Sequence, residues 1–291
     1  MMTILHVQIP PTSFPLQIIR MDQQHAMRMH RHDFEELVII TGGSGTHFTL
    51  DDRYPIQAGD AFVIPRSQAH GYEDTNRLAL VNILYRLERL CLPMAELRKL
   101  PGYHSFFLLE PEFRVRDRFE GRLRLSVDEL SEVTRLIAQL DAEVATPTAG
   151  YEFLALASFM QLIGFLARCH ATIDGNRRHA AMVHLGQVIG YLESHYTEEI
   201  AIDQLATMAC MSKSTLFRVF RQAMGVTPIE HIVRLRILHA AELLSSEELS
   251  VTEAAHHVGF ADSNYFTRQF RRIMGITPSA IKTLARDPRQ P

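Results

Sequence analysis

The chain has no tryptophan and only three cysteines among its 291 residues. Cys91, Cys169 and Cys210 are odd in number, far apart and in apolar surroundings. That pattern excludes a disulfide frame or a cysteine-built zinc cluster and suits reduced thiols in a cytoplasmic protein. No uninterrupted apolar run approaches the length of a membrane span. The longest, around Phe153–Leu166, is interrupted by Ser158, Gln161 and Gly164 and reads as a buried helix, so no membrane partner is expected. The N-terminus shows no basic stretch leading into an apolar core, and no signal peptide is expected. Positive charge is not in excess either: 30 Lys+Arg against 33 Asp+Glu leave a net charge of −3. A polyanionic partner must therefore be argued from where the cations sit rather than from how many there are.

What is present is an ordinary soluble composition, 46% apolar and 22% charged, on a chain long enough for two cores. The pattern changes along its length. Up to about residue 110 the chain reads as short strands, Leu37–Ile40, Thr46–Leu50, Ala61–Ile64 and Leu78–Tyr85. Gly42-Gly43-Ser44-Gly45, Asp51-Asp52 and Ala58-Gly59-Asp60 read as the turns between them, which predicts a small barrel or sandwich. From Ser126 the period becomes helical. Ser126 and Glu129 form a capping box, and Leu130, Val133, Leu136, Ile137 and Leu140 make one stripe. A second helix is expected from about Thr148 to His170, apolar on more than one face, packing inside the first domain or against a second subunit. Asp174–Arg178 reads as a linker, and short helices follow from Val183 onward. The expected architecture is α+β and multidomain: a β-barrel over 1–125, linking or dimerising helices over 126–173, and an all-α domain over 182–291.

The last hundred residues repeat themselves. Arg218, Phe220, Arg221, Met224, Gly225, Thr227 and Pro228 recur fifty residues later as Arg268, Phe270, Arg271, Met274, Gly275, Thr277 and Pro278. Ile202, Ala206 and Ala209 answer to Val251, Ala255 and Val258 with an offset of 49. Each copy predicts a short alanine-bearing helix, a tight turn and a second helix crossing the first closely, the order of a helix-turn-helix unit. Gly225 and Gly275 stand where a left-handed cap belongs, and the following prolines block continuation. A long helix from about Pro228 to Leu244 joins the copies.

The second helices divide into two faces. Leu216, Phe217, Phe220 and Met224 point inward in the first copy; Phe266, Phe270, Ile273 and Met274 do so in the second. The outward residues are Ser212, Lys213, Ser214, Thr215, Arg218 and Arg221, and in the second copy Ser263, Asn264, Thr267, Arg268, Arg271 and Arg272. Residues 182–291 hold eleven basic and eleven acidic residues. Ser212–Gly225, however, holds three basic residues and no acid, and Asp262–Gly275 has three basic residues against a single aspartate at the helix start. Such faces suit entry into a DNA major groove. A duplicated scaffold with merely solvated arginines is the plainer alternative, and the matched turn chemistry of the two copies weighs against it. Whether each arginine meets phosphate or base edges stays open.

These residues carry a resemblance. Leu205-Ala206, Ser212, Leu216 through Arg221 and Gly225 through Pro228 resemble the first half of the signature of the AraC/XylS family of transcription regulators. Gly259 through Phe266, Phe270 and Gly275 through Pro278 resemble its second half. The resemblance implies two recognition helices in successive major grooves of operator DNA, activation through RNA polymerase, and no enzymatic activity.

Near the N-terminus, His30 and His32 are followed by Glu36, then Gly43, Gly59, Pro65 and His70. The set resembles the two cupin motifs, with Ser67 replacing a usual glycine and Asp74 a common asparagine. On a strand His30, His32 and Glu36 share one face. Three readings stay open. With His70, the group could hold a divalent metal such as zinc, nickel, manganese or iron. It could equally hydrogen-bond a sugar, and Arg20, Tyr72 and Tyr85 read equally as further lining of the cavity or as packing and rim. The plainest reading makes the histidines surface residues at a strand entry. Glu35, of opposite parity, is expected to be solvated. His32 through Ile39, Gly45, Gly59-Asp60 and Asn82 through Arg86 resemble the L-rhamnose-responsive activators of the family, which implies a carbohydrate effector. Phe106–Glu112 and Phe119–Leu125 depart from them. A metal-dependent cupin enzyme, dioxygenase or isomerase, fused to DNA-reading helices is the alternative function.

Overall fold

A computed structural model describes residues 5–7, 14–111, 122–172, 177–246 and 249–285. It divides into two compact units, Met1–Gly186 and Gln187–Pro291. The expected linker at 174–176, much of the N-terminal stretch in which no leader was expected, and parts of the two divergent segments near 112 and 119–121 lie outside the described residues.

The first unit is built on two long antiparallel strands, β4 (Glu35–Thr49) and β7 (His70–Tyr85), paired from Glu35 with Tyr85 to Thr49 with His70. Shorter strands flank them. β2 (Leu16–Met21) and β3 (Met27–His32) pair with β7, while β5 (Arg53–Gln57) and β6 (Asp60–Ile64) pair with β4. β1 (Leu5–Val7) and β8 (Leu123–Arg124) extend the two sides, giving an eight-stranded sheet among the described residues. Strand alternation sorts the apolar residues into two cores. Val38, Ile40, Phe62, Ile64, Tyr72, Leu78 and Leu80 cluster on one face. Leu37, Ile39, Ala61, Val63, Val81, Ile83 and Tyr85 face the other way and pack with residues of the helices that follow.

Gly42–Gly45, expected as a turn, lies within β4. The pairing of β4 with β7 shifts register between Ile40 and Gly42, Gly42 and Ser44, and Ser44 and Thr46. Glycine here serves a bulge: Gly43 has φ +67°, and a Cβ on it would stand 2.0 Å from the Arg77 carbonyl oxygen. Ser67 and Asp74, the two departures from the cupin pattern, both hold left-handed backbone at φ 66° and 51°. That is the conformation glycine or asparagine adopts most readily.

Short helices α1 (Met94–Leu97) and α2 (Pro101–Tyr103), the latter running into a π-helical stretch His104–Leu109, lead to α3 (Val127–Ala145) and α4 (Tyr151–Thr172). The Ser126/Glu129 capping box starts α3 as expected. Val133, Leu136, Ile137 and Leu140 of α3 share one core with Ala155, Phe159, Leu162, Ile163, Leu166 and Ala167 of α4 and with the sheet. By length and composition α4 could cross a membrane, but those residues are at most 3% exposed inside the unit. The helices expected as a separate segment over 126–173 therefore complete the sheet's core. The division into units falls within α5 (Arg177–Ser194).

The second unit carries the two copies. In the first, α6 (Ile202–Met208) precedes α7 (Lys213–Met224); in the second, α9 (Val251–His257) precedes α10 (Ser263–Met274). Between them runs α8 (Pro228–Ser245), and α11 (Pro278–Ala285) follows. Gly225 and Gly275 are left-handed caps at φ 73° and 77°, and the N–H of each donates to the carbonyl of Arg221 or Arg271.

Candidate functional site

Parity along β3, β4 and β7 brings the sensor residues together. His30 and His32 on β3, Glu36 on β4 and His70 at the start of β7 are all at most 6% exposed. His32 Nε2 lies 2.9 Å from Glu36 Oε2, and His70 Nε2 lies 3.6 Å from the same oxygen. The His30 and His70 rings are 4.1 Å apart between centroids. Burial holds the His70 imidazole down at about 4 and also lowers His30. Burial alone would raise the Glu36 carboxyl. The His32 hydrogen bond and the neighbouring imidazoles outweigh it and hold Glu36 below the usual carboxylate range. His30, Glu36 and His70 each offer one ligand atom within 4.8 Å of the others, and this donor set fits a divalent transition metal. His32 instead engages the carboxylate.

A cavity of about 300 Å³ opens beside this cluster. His30, His32 and Glu36 form its polar wall with Gln24, His25, Tyr72 and Asn82, while Ile19, Met21, Met27, Phe34 and Leu84 supply apolar surface. The surface-entry reading of His30, His32 and His70 does not survive their burial. His25 is exposed and lines the cavity.

Tyr85 is not part of this site. It has opposite parity to Asn82 and Leu84 on β7, sits 4% exposed in the core and packs on Phe159 with ring centroids 5.3 Å apart. Burial pushes its phenol well up. Arg20 is likewise absent from the cavity wall and pairs with Asp141 at 2.6 Å. Glu35, expected to be solvated, is half-buried and bound to Arg66 at 2.6 Å. Gln24, Asn82 and His47 escaped sequence reasoning. Asn82 lies on the inward parity of β7, a signal available from alternation alone. His47 is 1% exposed and packs beside His70, Tyr72, Tyr54 and Phe62; it falls after the bulges of β4, where counting by twos fails.

In the second unit each α7 or α10 buries two large side chains, Leu216 and Phe220 or Phe266 and Phe270. The opposite faces are open. Lys213, Ser214, Arg218 and Arg221 are exposed, with Thr215 half-buried; Asn264, Thr267, Arg268, Arg271 and Arg272 are exposed, with Ser263 half-buried. Arg218, Arg268 and Arg271 form no ion pair among the described residues. Lys213 pairs with Asp203 at 2.7 Å, Arg221 approaches Glu230 at 3.8 Å, and Arg268 lies over the Tyr265 ring at 5.9 Å. Ser212 is exposed but its hydroxyl caps α7 by accepting from the Thr215 N–H, as Asp262 caps α10 from the Asn264 N–H.

The turn between the helices differs informatively between copies. Cys210 and Gly259 answer to one another, both left-handed at φ 52° and 90°. Gly259 admits no side chain, because a Cβ would stand 2.4 Å from the Thr197 carbonyl oxygen. Arg236 of α8 fixes this region by donating to the carbonyls of Tyr196, Glu198 and Gly259 at 2.5–2.7 Å and lying over Phe260. Nothing in the repeat pointed to that arginine.

Comparison with known proteins bears on both units. A family model described as an AraC-like ligand binding domain matches residues 17–163, and one described as a helix-turn-helix domain matches residues 205–283. The HTH-type transcriptional activator RhaS of Citrobacter koseri is 33% identical over 287 residues, 97% of each chain. The HTH-type transcriptional activator RhaR of Mannheimia succiniciproducens is 28% identical over 269 residues, 92% of each chain. Among solved structures, a probable AraC family transcriptional regulator from Rhodopseudomonas palustris is 30% identical with a TM-score of 0.34, covering 36% of this chain and 98% of that one. The full-length relatives are named as activators, which favours a regulator over the cupin enzyme considered from sequence.

Proposed function

Because the chain belongs to the AraC family of helix-turn-helix transcription regulators, we propose that α7 and α10 read two successive major-groove segments of an operator and that a sugar in the sensor cavity controls the outcome. The observation that carries the reading is the pairing of two open arginine faces in one unit with a polar cavity in the other. Arg218 and Arg268 project from the middle of their helices toward base edges, whereas Lys213, Ser214 and Thr215 near the start of α7, and Ser263 and Asn264 near the start of α10, suit phosphates and groove edges. Thr267, Arg221, Arg271 and Arg272 complete the contact surface.

About 300 Å³ is at the small end of ligand sites and suits a monosaccharide. The wall matches a deoxysugar: imidazoles, Gln24 and Asn82 for hydroxyls, and Ile19, Met21, Met27 and Leu84 for a methyl edge. L-Rhamnose is the first candidate, given the resemblance to the rhamnose-responsive activators. The effector acts by binding one packing state of the chain better than another, which shifts operator affinity or contact with RNA polymerase. The regulator works in the cytoplasm as a homodimer. The uncovered side of α4, where Phe153 is 75% and Leu154 46% exposed, supports a subunit contact.

A thermal-shift screen of monosaccharides on the purified protein, followed by operator binding with and without the best ligand, tests this reading. The expected result is stabilisation by a deoxysugar and an altered operator affinity. His30→Ala should abolish that response and leave DNA binding intact. A panel without any stabilising sugar, or a variant that responds normally, contradicts the proposal.

A further inference from the structure

We propose that His30, Glu36 and His70 bind one divalent first-row transition metal ion at the wall of the sensor cavity, a site that goes beyond the reading of sugar-controlled DNA binding. Convergence is the first ground. Ligand atoms about 2 Å from a central ion lie roughly 3–4 Å apart, and the three candidate atoms already lie within 4.8 Å of one another on buried residues of three strands.

Hydrogen bonding gives the second. His30 Nδ1 faces the Arg28 carbonyl at 3.2 Å, His70 Nδ1 faces the Gln68 carbonyl at 3.2 Å, and His32 Nδ1 faces the Phe34 carbonyl at 2.7 Å. A carbonyl only accepts, so each Nδ1 carries a proton and Nε2 is the ring atom left to meet the other groups of the cluster. The Nε2 atoms of His32 and His70 lie 2.9 and 3.6 Å from a Glu36 carboxylate oxygen, which also only accepts. Acceptors facing acceptors away from water need a cation between them. A second proton on His32 would satisfy its 2.9 Å contact with Glu36. It would still leave His70 Nε2, 3.6 Å from the same carboxylate oxygen, without a hydrogen-bond partner. A metal ion satisfies His30, His70 and Glu36 together. Backbone carbonyls that fix the tautomer of metal-binding imidazoles are the usual outer support of such a site.

Donor chemistry sets the class of ion. Two imidazole nitrogens and one carboxylate suit zinc, manganese, iron or nickel and not calcium or magnesium, which prefer all-oxygen surroundings. His32 is then a positioning residue that orients the Glu36 carboxylate. An ion held there would supply Lewis acidity toward an oxygen of a cavity ligand.

The test uses full-length protein purified without a polyhistidine tag. Elemental analysis should find about one equivalent of transition metal, as expected for a single set of three protein ligands with one position left open. After chelator treatment, cobalt(II) titration should develop visible absorption bands. His70→Ala and Glu36→Gln should lower cobalt affinity by more than about 100-fold, since even outer partners are worth ~10–100-fold. His25→Ala, which alters the cavity wall but not the donor set, should bind cobalt as the wild type does. Wild-type protein that retains no transition metal and gives a featureless cobalt titration overturns the proposal, as does uptake undiminished in both variants. The wild-type titration decides alone if a variant fails to fold. Metal uptake without any carbohydrate response upholds this site and defeats the sugar reading, and the reverse outcome does the opposite.

Discussion

The two units solve the problem of presenting polar groups in opposite ways. The sensor turns its titratable groups inward, so that His30, His32, Glu36 and His70 are buried and held by backbone carbonyls and by one another. The DNA-reading unit turns the arginines of α7 and α10 outward, where few side chains bind them. A buried polar cluster selects a small ligand because each unpaired group costs free energy. An exposed cationic face selects a large polyanion because its charge is free to be shared. Within one chain the difference separates a switch from a reader.

The comparison is broken most severely through the cores. Phe270→Ala and Phe159→Ala should each cost about 3–5 kcal/mol, the usual loss for emptying a fully buried aromatic site. Two separate cores predict that Phe270→Ala abolishes operator binding while the sensor still answers its ligand in calorimetry, and that Phe159→Ala does the reverse. Loss of both functions in either variant would mean that the units do not fold separately.

Next in size is the turn between the helices of each copy. Gly259→Ala should destabilise the DNA-reading unit by about 1–3 kcal/mol, because left-handed backbone and the Thr197 carbonyl both oppose a Cβ. Cys210→Gly, at the matching place in the first copy, should be neutral or stabilising. Denaturant titration of the two variants decides it; equal losses would show that the copies share one turn constraint.

Caps come third. Ser250→Ala removes the hydroxyl that accepts from the Glu253 N–H, leaves the bond from the residue 250 N–H to the Glu253 carboxylate, and should cost about 1 kcal/mol. Ser212→Ala should cost a similar amount while only slightly weakening DNA binding, since the hydroxyl is engaged by the helix. A large loss of affinity without loss of stability would instead make Ser212 a direct contact.

The smallest expected effect is chemical. Cys91 and Cys210 are exposed, whereas burial raises the Cys169 thiol to about 12. A thiol reagent near pH 8 should therefore label two cysteines rapidly and the third only on unfolding. Three fast thiols would show that the contact of α4 with the sheet opens readily.

The same contrast governs what could be read from the sequence. The reader was legible almost to the residue because it is written twice. Offsets of 49 and 50 fixed the helices, the caps at Gly225 and Gly275 and the open arginine faces. The repeat could not reveal Arg236, which joins segments far apart in the chain and has no counterpart to match. The sensor was legible where alternation runs unbroken: parity put His30, His32 and Glu36 on one face and separated Glu35 from them. It failed where the strand is irregular. The glycines of 42–45 looked like a turn because bulge and turn use the same residues, and His47 beyond them was missed. Tyr85 was assigned by chemical type, and its parity, opposite to Asn82, would have excluded it. The association of α3 and α4 with the sheet depended on contacts that no local pattern encodes.

Binding of wild-type, Arg218→Ala and Arg268→Ala protein to DNA sites selected from a random pool, at fixed and moderate salt, tests the reader most directly. Each variant should lose about 1–3 kcal/mol of affinity for the wild-type site. Each should also relax base preference in its own half of the site and leave the other half unchanged. Full affinity with unaltered preference in both variants would contradict the account.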